Sequence, residues 1–115
     1  MYPFVAVVFL SCLIIRVSEG YTPTVYTAAG GSYGTTDGYT TSASFMEVAG
    51  MCYDSQISVT YVVDRGAGQL RQINASGYVS SVTGTGAYYN PSGCTVDDGG
   101  NIYVYDNIKD SRTQR

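Results

Sequence analysis

Histidine and tryptophan are both absent from this chain, and leucine is scarce. Without histidine, Ser-His-Asp and Cys-His nucleophile arrangements are unavailable, and so is any histidine-bound metal. Basic residues are few. Beyond Arg16 they are Arg65, Arg71, Lys109, Arg112 and Arg115, scattered through the chain. Nucleic-acid binding needs clustered Lys and Arg, so that class of partner is excluded. No stretch carries a convincing helical period. There is one long apolar run, residues 3–15, and it falls short of the roughly 20 residues that cross a bilayer.

That run reads as the core of a secretory signal peptide over residues 1–20. Phe4-Val5-Ala6-Val7-Val8-Phe9-Leu10 is its densest part. Ser18-Glu19-Gly20 then places small residues where a signal peptidase reads. The departure is that Arg16 follows the apolar run and no Lys or Arg precedes it; an uncleaved anchor is the rival reading. The expectation is a secreted, extracellular protein with no membrane attachment once residues 1–20 are removed. The remainder stays mildly acidic, because the cut takes one of nine acidic and one of six basic residues. Cys12 leaves with the leader, and Cys52 and Cys94 remain, a number that permits one disulfide.

What is abundant is tyrosine, twelve residues in all, together with fourteen glycines. Tyrosine, valine and threonine favour strands, and each buried tyrosine hydroxyl needs a partner. Strands are expected at 24–29, 48–54, 57–64, 69–73, 78–83, 93–97 and 101–106, with a further one within 110–115. In 57–64, Ile57, Val59, Tyr61 and Val63 face one way and Ser58, Thr60 and Val62 the other. Turns fall at Arg65-Gly66-Ala67-Gly68, Asn74-Ala75-Ser76-Gly77 and Asp98-Gly99-Gly100, the last supplied with positive φ by adjacent glycines. Residues 30–44, rich in Gly, Ser, Thr and Tyr, read as a long surface loop. The spacing is that of an all-β chain of consecutive antiparallel strands.

The same pattern is written twice. Phe45-Met46-Glu47-Val48-Ala49-Gly50 is answered by Tyr88-Tyr89-Asn90-Pro91-Ser92-Gly93, Asp54 by Asp97, and Tyr61-Val62-Val63-Asp64 by Tyr103-Val104-Tyr105-Asp106. The offset is 43 residues, falling to 42 at the last match. A period near 40–50 residues marks repeat architecture. The second copy, an aromatic, then Pro-x-Gly, a short strand ending in Asp, a glycine turn, and Tyr-Val-x-Asp, resembles the NHL repeat of β-propellers. The first copy is similar to it, with Val48 in place of the proline and Ser55-Gln56 in place of the glycine turn. The resemblance implies antiparallel four-stranded blades of an incomplete NHL-type β-propeller, preceded by the signal peptide. Its parts would be a strand and loop at 21–44, one repeat at 45–86 and an incomplete one at 87–115. Propeller closure needs at least four blades.

On that reading Gly50 and Gly93 permit close backbone approach near the propeller axis. Asp54, Asp64, Asp97 and Asp106 end strands, where a short carboxylate accepts backbone N–H groups. No catalytic residue, cofactor or metal centre is expected. Asp97, Asp98 and Asn101 offer at most a loose oxygen set for Ca²⁺, with no recognised ligand spacing. Cys52 and Cys94 sit one register step apart in equivalent strands, so an intramolecular disulfide between them competes with intermolecular pairing and with two free thiols. Asn74-Ala75-Ser76 is a glycosylation sequon. The function expected is a non-enzymatic protein-binding or structural module, binding through loops around 64–68 and 106–110 or self-associating through exposed sheet edges. The alternatives are a tyrosine-rich extracellular matrix component and a fragment of a propeller lyase or lactonase.

Overall fold

The computed structural model describes residues 26–83 and 87–107 in full, and the strand backbone at 2–8, 11–17, 24–25 and 113–114. The strands in chain order are β1 (Tyr2–Val8), β2 (Ser11–Val17), β3 (Thr24–Ala29), β4 (Ser32–Tyr33), β5 (Gly38–Tyr39), β6 (Ser44–Phe45), β7 (Val48–Asp54), β8 (Val59–Asp64), β9 (Gln69–Ile73), β10 (Tyr78–Ser81), β11 (Pro91–Val96), β12 (Ile102–Asp106) and β13 (Thr113–Gln114). The fold is all-β. No α-helix occurs among the described residues.

Three antiparallel sheets follow one another along the chain. The first has the order β1-β2-β3, the middle one β5-β10-β9-β8-β7, and the third β11-β12-β13. A short parallel pair, β4-β6, lies between the first two in sequence. The stretch read as a signal peptide is thus drawn as the hairpin β1-β2, with Tyr2 opposite Val17 and Val8 opposite Ser11.

The middle sheet is apolar on both faces, which explains why β8 reads as an almost unbroken apolar run. Val59, Tyr61 and Val63 point to one side and Val62 to the other. Across the sheet, Val62 stands opposite Met51 and Arg71, and Val63 opposite Gly50 and Leu70. The Val62 face packs with Phe45, Ala29, Ala43, Ile73 and Val79. The Tyr61–Val63 face packs with Leu70, Tyr88, Cys94 and Val104 against the third sheet. Full burial of a Val or Leu side chain contributes about 1.5–3 kcal/mol, so each of these two layers is a main source of stability. Ile57 departs from the expected alternation. It sits in the β7–β8 turn, 58% exposed, because the strand begins only at Val59.

The third sheet repeats the register of the middle one. Val48 pairs with Asp64, a bulge follows, and Gly50 pairs with Val63; Pro91 pairs with Asp106, a bulge follows, and Gly93 pairs with Tyr105. Proline is tolerated at a bulge because no ladder N–H is required there, which makes Val48 and Pro91 interchangeable in this frame.

Residues 30–45 are more than the surface loop their composition implies. They hold β4, β5 and β6 and a 3₁₀ turn at Thr40–Ser42. β5 adds a fifth strand to the middle sheet through Tyr39 opposite Tyr78. What fixes this segment is Arg71, described below.

Candidate functional site: the repeated aspartate anchors and the interface between sheets

Each unit is tied at its start by an aspartate at the end of its second strand. The Met46 N–H donates to Asp64 Oδ2 at 3.0 Å and the Glu47 N–H to Oδ1 at 2.8 Å. In the third sheet the Tyr89 N–H donates to Asp106 Oδ2 at 3.0 Å and the Asn90 N–H to Oδ1 at 2.7 Å. The donors are offset by 43 residues and the acceptors by 42, as in the sequence repeat. The next backbone bond repeats as well: Arg65 N–H donates to the Glu47 carbonyl, and Asn107 N–H to that of Asn90. Asp64 also accepts from the Ala67 N–H at 3.3 Å. Hydrogen bonds from backbone N–H groups to a carboxylate are stronger than neutral ones, and they satisfy both oxygens of each buried side chain.

Asp54 and Asp97 perform the corresponding task in the turns. Asp54 Oδ1 accepts from the Gln56 N–H at 2.9 Å, and Asp97 Oδ1 from the Gly99 N–H at 3.0 Å. Asp97 accepts further bonds from the Asn101 N–H, Asn101 Nδ2 and the Tyr103 hydroxyl. The Asn101 side chain foremost, with the neighbouring donors, holds the Asp97 carboxyl below its ordinary range. Its oxygens are therefore engaged as turn acceptors. Among the described residues no group of three or more His, Cys, Asp or Glu side chains could hold a metal ion.

The sheets meet at Gly50. A Cβ there would lie 2.6 Å from the Ser92 carbonyl oxygen and 3.0 Å from the Gly93 Cα, so only glycine admits the backbone of the next sheet. At Gly93 the same construction meets nothing within 4 Å. Among the described residues the close approach thus bars a side chain at Gly50 and leaves room for one at Gly93, whose Cα forms part of the same approach.

Cys52 and Cys94 are joined as a disulfide, with Cα atoms 5.6 Å apart. The one register step that separates them, which left the bridge in competition with free thiols and intermolecular pairing, is what the stacking requires. Sheets packed face to face present opposite faces to each other, so equivalent positions point the same way and never meet. A partner for Cys52 must lie an odd number of residues from its equivalent, Thr95, and Cys94 does. The bridge crosses the layer that holds Tyr61, Leu70 and Val104. Burial there, with a lesser contribution from Asp54, raises the Tyr61 hydroxyl above its usual pKa.

Arg71 was not singled out by the sequence. It is fully buried on the Val62 face. Nη1 donates to the Ser44 carbonyl at 3.1 Å, Nη2 to the Thr36 carbonyl at 3.3 Å and to Asp37 Oδ1 at 2.8 Å, and the guanidinium lies 5.4 Å from the centre of the Phe45 ring. A buried charge is tolerated only when paired and hydrogen-bonded, and here the pairing fastens residues 30–45 onto the sheet. The available signal was an arginine between Leu70 and Gln72 in a strand, together with the Asp37-Gly38 pair in an otherwise uncharged segment.

Asn74 is exposed in the β9–β10 turn, its Oδ1 accepting from the Ser76 N–H, the Ser76 hydroxyl and the Tyr78 N–H. Around the 65–68 turn lies a cleft of about 190 Å³, lined by Ala67, Gly68, Gln69, Leu70, Ser81, Val82 and Ala87. Among the described residues its polar side chains are Gln69 and Ser81, which offer hydrogen bonding. The partner loop expected at 106–110 lies largely outside the described residues, as does Gly84-Thr85-Gly86.

No protein-family model and no curated protein sequence matches this chain. Solved structures do. Auxiliary nutrient binding proteins from Bacteroides thetaiotaomicron and Bacteroides ovatus each align with a TM-score of 0.70 at 15% identity, over 84% of this chain and 30% of theirs. The chain thus spans about a third of the length of these structures. The likeness is one of fold.

Proposed function

We propose that this chain is a secreted, non-enzymatic binding or structural module built from NHL-like propeller blades. The observation that carries this reading is the bond-for-bond recurrence of the Asp64 anchor in Asp106, at the period of the sequence repeat. Face-to-face stacking of successive four-stranded sheets is how propeller blades bury their apolar faces. The Cys52–Cys94 bridge fits an oxidising compartment, in keeping with a leader at residues 1–20. The non-enzymatic reading is supported by the carboxylates themselves, since Asp54, Asp64, Asp97 and Asp106 all accept backbone N–H groups. The fold neighbours are described as nutrient binding proteins, which favours recognition over turnover. On this reading a partner docks on the loops around residues 64–68, where the small cleft lies.

Expression of the full chain in a eukaryotic secretory host tests the proposal. Export, an N-terminus at Tyr21, no free thiol, and a glycan lost in Asn74→Gln are the expected results. Retention inside the cell with residues 1–20 intact would overturn secretion, and metal-dependent turnover of a lactone or an amidated peptide by the purified protein would overturn the non-enzymatic role. A second reading, the tyrosine-rich matrix component, is favoured by the exposure of Tyr33, Tyr39, Tyr53, Tyr89 and Tyr105. It requires that the native protein be extracted only by strong denaturant.

A further inference from the structure

We infer that the tyrosine pair Tyr39–Tyr78 is the docking surface for a glycan carried by Asn74. The inference rests on the secretory reading, since only an exported chain meets the enzyme that attaches such a glycan. Ile73 stands opposite Val79 in the β9–β10 hairpin, and both point into the buried Val62 layer. Side chains alternate along a strand, so their neighbours Asn74 and Tyr78 fall on the opposite face. These two are themselves opposed, the Asn74 N–H donating to the Tyr78 carbonyl at 3.0 Å. Tyr78 is in turn opposite Tyr39 on β5. Asn74, Tyr78 and Tyr39 thus form one row across three neighbouring segments, in which opposed residues stand about 5 Å apart at Cβ. The two rings meet edge to face with centres 4.9 Å apart, and Tyr39 is 58% exposed.

The Asn74 side chain is fixed by one end only. Its Oδ1 accepts from the Ser76 N–H, the Ser76 hydroxyl and the Tyr78 N–H, while among the described residues its Nδ2 donates to none. Attachment replaces one Nδ2 hydrogen by C1 of the first sugar. The N–C bond forms as the bond from C1 to the pyrophosphate of a lipid-linked donor breaks, the leaving group keeps the electron pair, and the proton passes to solvent. A pyranose has an apolar C–H face, and an exposed tyrosine offers an apolar body with a polar tip. A sugar tethered one cross-strand step from Tyr78 meets that surface at high effective concentration. The contact has a structural use. β5 has two residues and closes one edge of the middle sheet, and the Thr40 N–H ties its end to the Gly77 carbonyl at 2.9 Å. A sugar lying over both rings clamps this short edge strand to β10 and shields the edge.

The experiment is nitration of the secreted full chain with tetranitromethane, the rate at each tyrosine being read by peptide mass spectrometry. It compares the wild type with Asn74→Gln and Ser76→Ala, which both lose the sequon and alter the turn in different ways. In the glycosylated wild type Tyr39 is expected to react about two- to tenfold more slowly than in either variant, the factor that a packed aromatic contact gives. Tyr33 and Tyr53, 65% and 50% exposed, are expected to react alike in all three. Equal Tyr39 rates in all three would overturn the inference. So would acceleration confined to one variant, which would trace the change to that variant's turn. Export with Asn74 bare, or with a glycan that leaves Tyr39 open, overturns the inference alone, whereas retention inside the cell overturns the secretory reading and the inference with it.

Discussion

The unit from Phe45 to Ser81 and the unit from Tyr88 to Asp106 are built alike and situated differently. Both begin with two N–H groups held by a strand-end aspartate, continue through a bulge, and turn on a second aspartate. In the first, both sheet faces are covered, and its second strand and neighbours are mostly apolar, Gly50, Met51, Cys52, Tyr61, Val62 and Val63, with Arg71 buried among them. In the second, one face is covered and the other presents Thr95, Tyr103 and Tyr105. The difference shows which repeated residues serve the unit itself and which serve its neighbour. The aspartates are internal to a unit and function in both. The glycines serve the joint differently: a side chain is barred at Gly50, while Gly93 brings its Cα to that joint and, among the described residues, has room for a Cβ of its own.

The sharpest way to break the first unit is through its anchor. Asp64→Ala strands the Met46, Glu47 and Ala67 N–H groups around a fully buried site. Each buried unsatisfied donor costs roughly 1–3 kcal/mol, so a loss of about 4 kcal/mol is expected, a large share of the roughly 5–15 kcal/mol that stabilises a typical domain. Asp106→Ala, which strands two donors at a slightly more open site, loses less. Urea unfolding of the two variants measures the gap, and equal losses would show that the anchors do not depend on how deeply their unit is covered.

Next in size is the covalent link between the two units. The Cys52–Cys94 bridge spans 42 residues, and the loop-closure relation gives about 3–4 kcal/mol for a loop of that length. The double variant Cys52→Ala/Cys94→Ala, or the reduced protein, is expected to lose that amount, with amide exchange rising first in Tyr88–Asp106. Exchange rising equally in both units would mean that they unfold as one body with or without the bridge.

The glycines come third. Gly50→Ala forces a Cβ against the Ser92 carbonyl, and overpacking of this kind costs about 1–3 kcal/mol. Gly93→Ala, at a half-buried position where an added Cβ meets no described residue within 4 Å, changes stability by less than about 0.5 kcal/mol, as substitutions away from packed features usually do. Thermal denaturation of the two variants separates them, and a large loss at Gly93 would mean that its face is already covered.

Much of this frame is legible in the sequence because it rests on local chemistry. The strands at 24–29, 48–54 and 69–73 stand where alternation and turn residues place them. Asp54 and Asp97 accept N–H groups two residues on, close by in the chain, whereas the paired donors to Asp64 and Asp106 lie 16–18 residues upstream and are brought to them by the repeat. Whatever depends on stacking was hidden. The disulfide was judged from the directions of two strands taken singly, when the deciding fact is that neighbouring sheets present opposite faces. Arg71 was hidden because its partners, Thr36, Asp37 and Ser44, are 27–35 residues upstream, in a segment whose composition announces only a loop.

The smallest expected effect lies in the β7–β8 turn, where the first unit lacks its glycine. The expected replacement was Ser55-Gln56, but the residue that takes the left-handed conformation is Ser58, with φ +55°. Its equivalent, 42 residues on, is Gly100, with φ +80°. A non-glycine residue in that region is disfavoured by about 1–2 kcal/mol, and glycine recovers this less the entropy it loses on folding, about 0.5–1 kcal/mol. Ser58→Gly should therefore gain about 0.5–1 kcal/mol, and Gly100→Ser should lose a similar amount. The pair forms an exchange between the two units, and the one inter-sheet neighbour of the added side chain is Asp54 Oδ2, 4.0 Å from a Cβ at position 100. If both changes appear with opposite signs in chemical denaturation, the turns are equivalent in energy as well as in register. If Ser58→Gly destabilises, the Ser58 hydroxyl contributes more to the first turn than its backbone costs, and the two units diverged here in substance.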